Sequence, residues 1–196
     1  MSQEIEIEFK NMLSKSKYDE LLTTFDIKKD AIIRQENHYF DTADFQLKAL
    51  ASGLRIRILP NKIELTLKER AADNQHIETT DLITAEEARK MLYENQLPTG
   101  YVKERLKELK ININKLTLFG SLTTDRVEID YEGGLLVFDH SFYLQHDDYE
   151  VEYETKDELV GETIFRQFLL KFNIPIFQAP KKIARFAAAL AASQHE

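Results

Sequence analysis

The sequence predicts an α+β fold in which an antiparallel sheet or barrel is accompanied by helices. Two observations carry this. Charged and apolar residues alternate along several short runs, most strictly in Glu4-Ile5-Glu6-Ile7-Glu8-Phe9-Lys10, and a period of two is the mark of a strand. Two such runs, residues 54–59 and 63–68, are separated by Pro60-Asn61-Lys62 alone, which is a hairpin spacing.

The elements follow in order. Residues 4–10 form the first strand. Residues 14–25 read as a short helix, with Leu21, Leu22 and Phe25 on one side near Tyr18. His38-Tyr39-Phe40 is a strand ending at Asp41-Thr42, residues 47–50 are an apolar patch of no clear type, and Ser52-Gly53 is a turn. After the hairpin, residues 77–82 form a weaker strand. Thr84-Ala85-Glu86-Glu87 is a capping box, so a helix runs over residues 85–94. Pro98 and Gly100 punctuate, and residues 101–109 are a further helical piece. Strands return at 116–122, 124–131, 135–140 and 149–155, with Gly133-Gly134 as the turn between the second and third. Asp157 caps a helix through Lys171, whose apolar side is Leu159, Ile164, Phe165, Phe168, Leu169 and Phe172. Pro180 occupies the first turn of a last helix reaching Ala192. The sum is eight or nine strands, mostly joined by hairpins.

A chain of 196 residues is long enough for one sizeable core. With no repeat, low-complexity stretch or dividing linker, residues 1–196 are expected to be a single domain. Hydrophobic residues make up 43%, which excludes wholesale disorder. The net charge of −8 argues against bulk attraction to nucleic acid or to an anionic membrane, though not against a local basic cleft. With no cysteine, disulfides, thiolate chemistry and zinc–thiolate sites are excluded. The first residues lack a secretory pattern, and no apolar run approaches the roughly 20 residues that span a bilayer. A cytoplasmic protein, monomeric or homodimeric, is expected.

Residues two apart on a strand share a face. Glu4, Glu6, Glu8 and Lys10 therefore lie opposite Ile5, Ile7 and Phe9. Arg55 and Arg57 oppose Leu54, Ile56 and Ile58, while Glu64, Thr66 and Lys68 oppose Ile63, Leu65 and Leu67. Arg126, Glu128 and Asp130 oppose Val127 and Ile129, and Glu150, Glu152 and Glu154 oppose Val151 and Tyr153. A sheet with one face in water explains the alternation. It explains the signs less well, because solvated faces intersperse them and like charges at these spacings repel. Here one strand is a ladder of Glu, another carries Arg only, and a later one is Glu again. The rows make sense on a face curled around an ion-filled interior, with the apolar faces turned outward beneath the helices. Carboxylates such as Glu6, Glu8, Glu150 and Glu152 are hard oxygen donors suited to Mg²⁺ or Mn²⁺. Arginine forks match phosphate oxygens.

The Glu-x-Glu-x-Lys of Glu6, Glu8 and Lys10 resembles the defining motif of the CYTH superfamily, the triphosphate tunnel metalloenzymes. The further signatures come in order: Tyr39-Phe40-Asp41-Thr42, Leu54-Arg55-Ile56-Arg57, Glu64-Leu65-Thr66-Leu67-Lys68, Asp125-Arg126, Asp139, Glu150-x-Glu152 and Lys181. The resemblance covers residues 4–186. That family unites class IV adenylate cyclases, thiamine triphosphatases, bacterial inorganic triphosphatases and, more distantly, fungal RNA triphosphatases. The resemblance implies an eight-stranded antiparallel β-barrel, a tunnel with a charged interior flanked by helices. In it Mg²⁺ or Mn²⁺ bridges a small-molecule triphosphate or polyphosphate to carboxylates. It implies Glu6, Glu8, Asp139, Glu150 and Glu152 as metal ligands, and Lys10, Arg55, Arg57, Lys68, Arg126 and Lys181 as phosphate ligands. Arg185, one helical turn after Lys181, can join the second set. Glu6, Glu8, Lys10 and Arg126 are the residues expected to act in catalysis, while Glu4, Glu64, Glu128 and Glu154 have supporting roles.

The reaction this favours is hydrolysis of a terminal phosphoryl group. One alternative is a class IV-type adenylate cyclase, for which no residue set marks an adenine and ribose pocket. Another is a non-catalytic binder of polyphosphate or nucleotide, which would keep the basic residues and lose the carboxylates. The five histidines form no ligand set: His38 and His140 read as core or hairpin-end residues, and His76, His146 and His195 fall in loops or the tail.

Overall fold

A computed structural model of the protein describes residues 2–193. The chain begins with β1 (Ser2–Leu13), α1 (Lys15–Thr24), β2 (Ile33–Thr42) and the one-turn α2 (Gln46–Ala49). Next come β3 (Gly53–Ile58), β4 (Ile63–Arg70), β5 (Gln75–Leu82), α3 (Ala85–Glu94) and α4 (Tyr101–Glu108). It ends with β6 (Leu116–Tyr131), β7 (Gly134–Tyr143), β8 (His146–Thr155), α5 (Glu158–Lys171) and α6 (Lys182–Ser193). Among the described residues the eight strands close into an antiparallel barrel in the order β1-β5-β4-β3-β2-β6-β7-β8. The α+β class expected from the alternation and the eight-stranded antiparallel barrel implied by the resemblance are both observed.

By its contacts the chain divides into two compact units. A central half holds residues 35–121 with the first few residues, and a terminal half holds residues 6–34 with those from 122 onward. Each has its own core, made by the apolar faces of its strands under its helices. In the central half Phe40, Leu54, Ile56, Leu65 and Leu67 pack against Met91 of α3 and Val102 and Leu106 of α4. In the terminal half Phe9, Val127, Phe138, Val151 and Tyr153 pack against Leu21 of α1 and Phe165 and Phe168 of α5. Period-two alternation then turns the charged residues of these strands to the face away from the helices.

The caps explain where the helices start. Ser14 accepts from Lys17 N to open α1, Thr84 and Glu87 form the capping box of α3, and Asp157 accepts from Val160 N to open α5. The start of α4 has no capping side chain of its own. Asp81 of β5 supplies one, accepting from Tyr101 N at 3.1 Å and Val102 N at 2.9 Å. The backbone at Gly100 lies so close that a Cβ there would stand 2.3 Å from Asp81 Oδ2.

Several expectations are corrected. The strands expected at 116–122 and 124–131 are one, β6, because Thr123 and Thr124 suit extended backbone and carry the chain across the change of apolar phase. The patch at 47–50 is helical, with Asp41 accepting from Leu47 N and Lys48 N. The β6–β7 turn is centred on Glu132 and Gly133, both at positive φ, a two-residue turn whose twist suits a hairpin. Gly134 already pairs with Tyr131, and its missing Cβ makes room for Tyr153 Oη and Glu154 O, each 2.5 Å from where it would stand. Leu159 is 80% exposed, so the apolar side of α5 starts later, with the buried Gly161. Pro180 precedes α6, which begins at Lys182. His76 lies buried in β5 and His146 opens β8, whereas His195 lies outside the described residues.

Candidate active site

The charged face of the terminal half is set by strand register. β1 pairs antiparallel with β8, placing Lys10 opposite Glu152 and Glu8 opposite Glu154. β7 pairs with both β6 and β8, placing Asp139 between Arg126 and Glu150. These residues lie on the face away from α1 and α5, where the acidic row of β7 and β8 is flanked by Arg126 of β6 and Lys10 of β1. Lys10 Nζ is 2.9 Å from Glu8 and 2.8 Å from Glu152. Arg126 donates from Nε and Nη2 to both oxygens of Asp139, at 2.8 and 2.6 Å, and from Nη2 to Glu152 at 3.0 Å. Asp139, Glu150 and Glu152 are all buried, and one oxygen from each lies within 4.8 Å of the others.

A helix supplies the remaining cations. Lys182, the first residue of α6, donates to Asp139 Oδ2 at 2.7 Å, to Glu152 Oε1 at 2.8 Å and to Glu150 Oε1. Arg185 holds Asp148 through Nε and Nη2, at 2.7 and 3.0 Å, and its Nη2 is 2.6 Å from Glu150 Oε2. The approach to α6 is fixed from β1. The buried Asn11 donates to Pro175 O and accepts from Phe177 N, while Met12 N donates to Phe177 O. This anchor places Lys182, rather than its neighbour, over the carboxylates.

The network sets the protonation of its members. Burial alone pushes the Asp139 carboxyl up, but Arg126 and Lys182 outweigh it and hold the group below the usual carboxylate range. Glu152 is likewise held low, burial being outweighed by Lys10 and Arg126. Lys10 is held above its ordinary value, because Glu152 and Glu8 outweigh the cost of burial. Burial, with Lys10 and Arg126 nearby, outweighs Asp139 and pushes Lys182 below its ordinary value. With three carboxylates at hydrogen-bond distance we write it as an ammonium. Glu154, at the edge of the network, has less compensation, and burial pushes its carboxyl up to about 7.

The central half carries the other basic residues on one face. Arg57 Nε donates to Asn37 Oδ1 at 3.0 Å, and Arg55 and Lys68 stand 3.8 and 3.4 Å from Glu78. Thr66 and Thr80 bond across β4 and β5 on the same side, and Glu64 pairs with Lys62. Thus Arg55, Arg57 and Lys68 form one group. Glu8, Lys10, Arg126, Asp139, Glu150, Glu152 and Arg185 form another, with Glu6 on the same face of β1. Lys181 is exposed, and Lys182 takes the inner position. Two charged members were not singled out beforehand. Lys182 is shown by counting i to i+3 back from Arg185, and Asp148 by extending the Glu150, Glu152, Glu154 row two residues earlier.

A family model described as the CYTH domain matches residues 4–187. The chain belongs to the CYTH family. Among CYTH relatives, the Bacillus subtilis (strain 168) protein named "Putative triphosphatase YjbK" is 42% identical over 186 residues, spanning 95% of this chain and 96% of that one. The crystal structure of a Bacillus halodurans protein described as a "putative adenylate cyclase" matches with a TM-score of 0.91 and 39% identity, over 95% of this chain and 99% of that one. A Hippeastrum protein, described as a "putative adenylyl cyclase" with "a dominant triphophatase activity", shares the fold at a TM-score of 0.78 and 23% identity, over 96% of each chain. No helix among the described residues is long and apolar enough to cross a membrane.

Proposed function

We propose that this CYTH protein is a divalent-metal-dependent triphosphatase, releasing the terminal phosphoryl group of inorganic tripolyphosphate or a small organic triphosphate. One observation carries the reading: buried carboxylates and cations are interleaved across β1, β6, β7 and β8 on a single face. The donor set fits a hard divalent ion. Asp139, Glu150 and Glu152 offer three converging carboxylate oxygens, and Glu6 and Glu8 bring two more carboxylates on β1. When bound there, Mg²⁺ or Mn²⁺ would neutralise phosphate oxygens and lower the pKa of a coordinated water.

The chain's own groups do the rest. Phosphoryl transfer spreads negative charge over the transferred oxygens, so fixed positive charge and positioning supply most of the catalysis. Arg126 has its plane fixed by Asp139, and its Nη1 stands 3.7 Å from Glu128 and 4.0 Å from Glu154, engaged far more loosely than Nη2. That loosely held edge is the one we assign to phosphate. Lys10 and Arg185 add charge within the same half; Arg55, Arg57 and Lys68 are further candidate phosphate ligands, grouped in the central half. Lys181, exposed at the approach to α6, keeps a place only as an outer phosphate contact.

The name of the Bacillus subtilis relative supports hydrolysis, and the description of the Bacillus halodurans relative favours a second reading, cyclisation of ATP. A substrate panel of tripolyphosphate, thiamine triphosphate and ATP, with Mg²⁺ or Mn²⁺, separates them by scoring phosphate, diphosphate and cyclic AMP. We expect phosphate from tripolyphosphate. Diphosphate with cyclic AMP from ATP would replace this reading with the second, and an equal rate in excess chelator would remove the metal from it.

A further inference from the structure

Among the described residues four cations reach the carboxylates Asp139, Glu150 and Glu152; Arg126 touches two of the three, Lys10 and Arg185 one each. Arg126 is bidentate on Asp139, Lys10 is shared between Glu8 and Glu152, and Arg185 is bidentate on Asp148. Lys182 differs. Its ammonium contacts Asp139, Glu150 and Glu152, the three carboxylates whose oxygens converge closely enough to ligate one ion. Resting on the metal-dependent reading above, we propose that Lys182 is a tethered counter-cation, which occupies the metal position in the metal-free protein and is displaced when a divalent ion binds.

Geometry and charge both require the exchange. An ammonium holds carboxylate oxygens at 2.7–2.8 Å here, whereas Mg²⁺ needs them at roughly 2.0–2.1 Å in a near-octahedral shell. Asp139 Oδ2 and Glu152 Oε1 cannot hold the ammonium at those distances and the metal at its own. A divalent ion brings more charge than the ammonium it replaces, which favours the exchange against the cost of dehydrating the ion. A monovalent ion brings no more, and it competes against a group already tethered to the chain. Lys182 therefore sets two properties of the site: it lowers the apparent affinity for metal, and it discriminates against monovalent ions. It also keeps the carboxylates compensated while no metal is bound, since an uncompensated buried charge is costly.

The test measures binding, not turnover. Protein stripped of metal by chelator and dialysed is titrated with Mn²⁺, following loss of the free-ion electron paramagnetic resonance signal. Lys182→Met should bind Mn²⁺ about tenfold or more tightly than the wild type, because the competing occupant is gone. Equal or weaker binding by the variant overturns the inference while leaving the metal reading intact. Absence of Mn²⁺ binding by both proteins overturns the metal reading and this inference with it. A second measurement needs only folded wild-type protein: the ¹⁵Nζ resonance of the Lys182 ammonium, assigned by its loss in Lys182→Arg, should shift as Mg²⁺ saturates the site. A resonance unmoved at saturation overturns displacement.

Discussion

Arg126 and Asp139 face each other across β6 and β7, with Nε and Nη2 of the guanidinium donating to both carboxylate oxygens at 2.8 and 2.6 Å. A residue assigned to phosphate and one assigned to metal are thus each other's main support in the resting protein. The pair is buried, and removing one partner of a buried ion pair leaves a charge without compensation. Arg126→Met is expected to lower stability by about 3–5 kcal/mol, measured by urea unfolding in chelator. Arg126→Lys restores the charge without the fork, so it should recover part of that stability but little of the phosphate release. A methionine variant as stable as the wild type would show that Lys182 alone compensates Asp139.

Glu154 provides a pH signature. Its folded-state carboxyl titrates near 7, above its ordinary value of 4.5. Between those two values the folded protein keeps a proton that the unfolded chain has released, so Glu154's contribution to stability falls as pH rises through that window. Above the window its contribution is constant. Urea midpoints for metal-free protein from pH 5 to 8 should therefore decline less steeply in Glu154→Gln, and the variant should be the more stable of the two at pH 8. Parallel curves would place the Glu154 carboxyl in the ordinary range.

Adjacent glycines, Gly133 in the β6–β7 turn and Gly134 at the start of β7, should behave differently. A Cβ at Gly134 would stand 2.5 Å from Tyr153 Oη and from Glu154 O, in a strand pair that has little freedom to open. Gly134→Ala is expected to cost about 2 kcal/mol or more. Gly133 meets nothing within 4 Å but has φ of +82°, so Gly133→Ala should cost only about 1 kcal/mol of left-handed strain. Equilibrium unfolding of the two variants decides the order.

In the central half, Asp81→Ala removes the acceptor for Tyr101 N and Val102 N and should cost about 1 kcal/mol. Asp81→Asn keeps an oxygen acceptor and should cost less. Faster amide hydrogen exchange in the first turn of α4, with α3 unchanged, is the accompanying local readout.

What was legible in the sequence is what neighbouring residues decide. Alternation along Glu4 to Lys10 and Glu150 to Glu154 gave the faces, Pro60-Asn61-Lys62 gave the hairpin, and Thr84 with Glu87 gave the start of α3. What was not legible depends on distant contacts. Whether Lys181 or Lys182 turns inward is decided by where α6 begins, and that follows from the grip of Asn11 on Pro175 and Phe177, more than 160 residues away in sequence. Asp148 was passed over because the strand was expected to begin at Tyr149, three residues after its start at His146. Leu159 looks like part of the buried side of α5 until Gly161 is seen packed against Thr155 and Phe9.

The pairing of β1 with β8 joins Lys10 to Glu152 across 142 residues of chain. During synthesis from the N-terminus, Glu6, Glu8 and Lys10 leave the ribosome long before the carboxylates and arginine that will compensate them. For that interval β1 is a strand lacking its β8 neighbour, with Ile7 and Phe9 on one side, the kind of segment that recruits other chains. Its three glutamates repel a second copy of the same strand. The acidic row of β1 is therefore expected to guard the nascent chain as well, and neutral replacements within it should raise aggregation during expression even where the finished fold tolerates them.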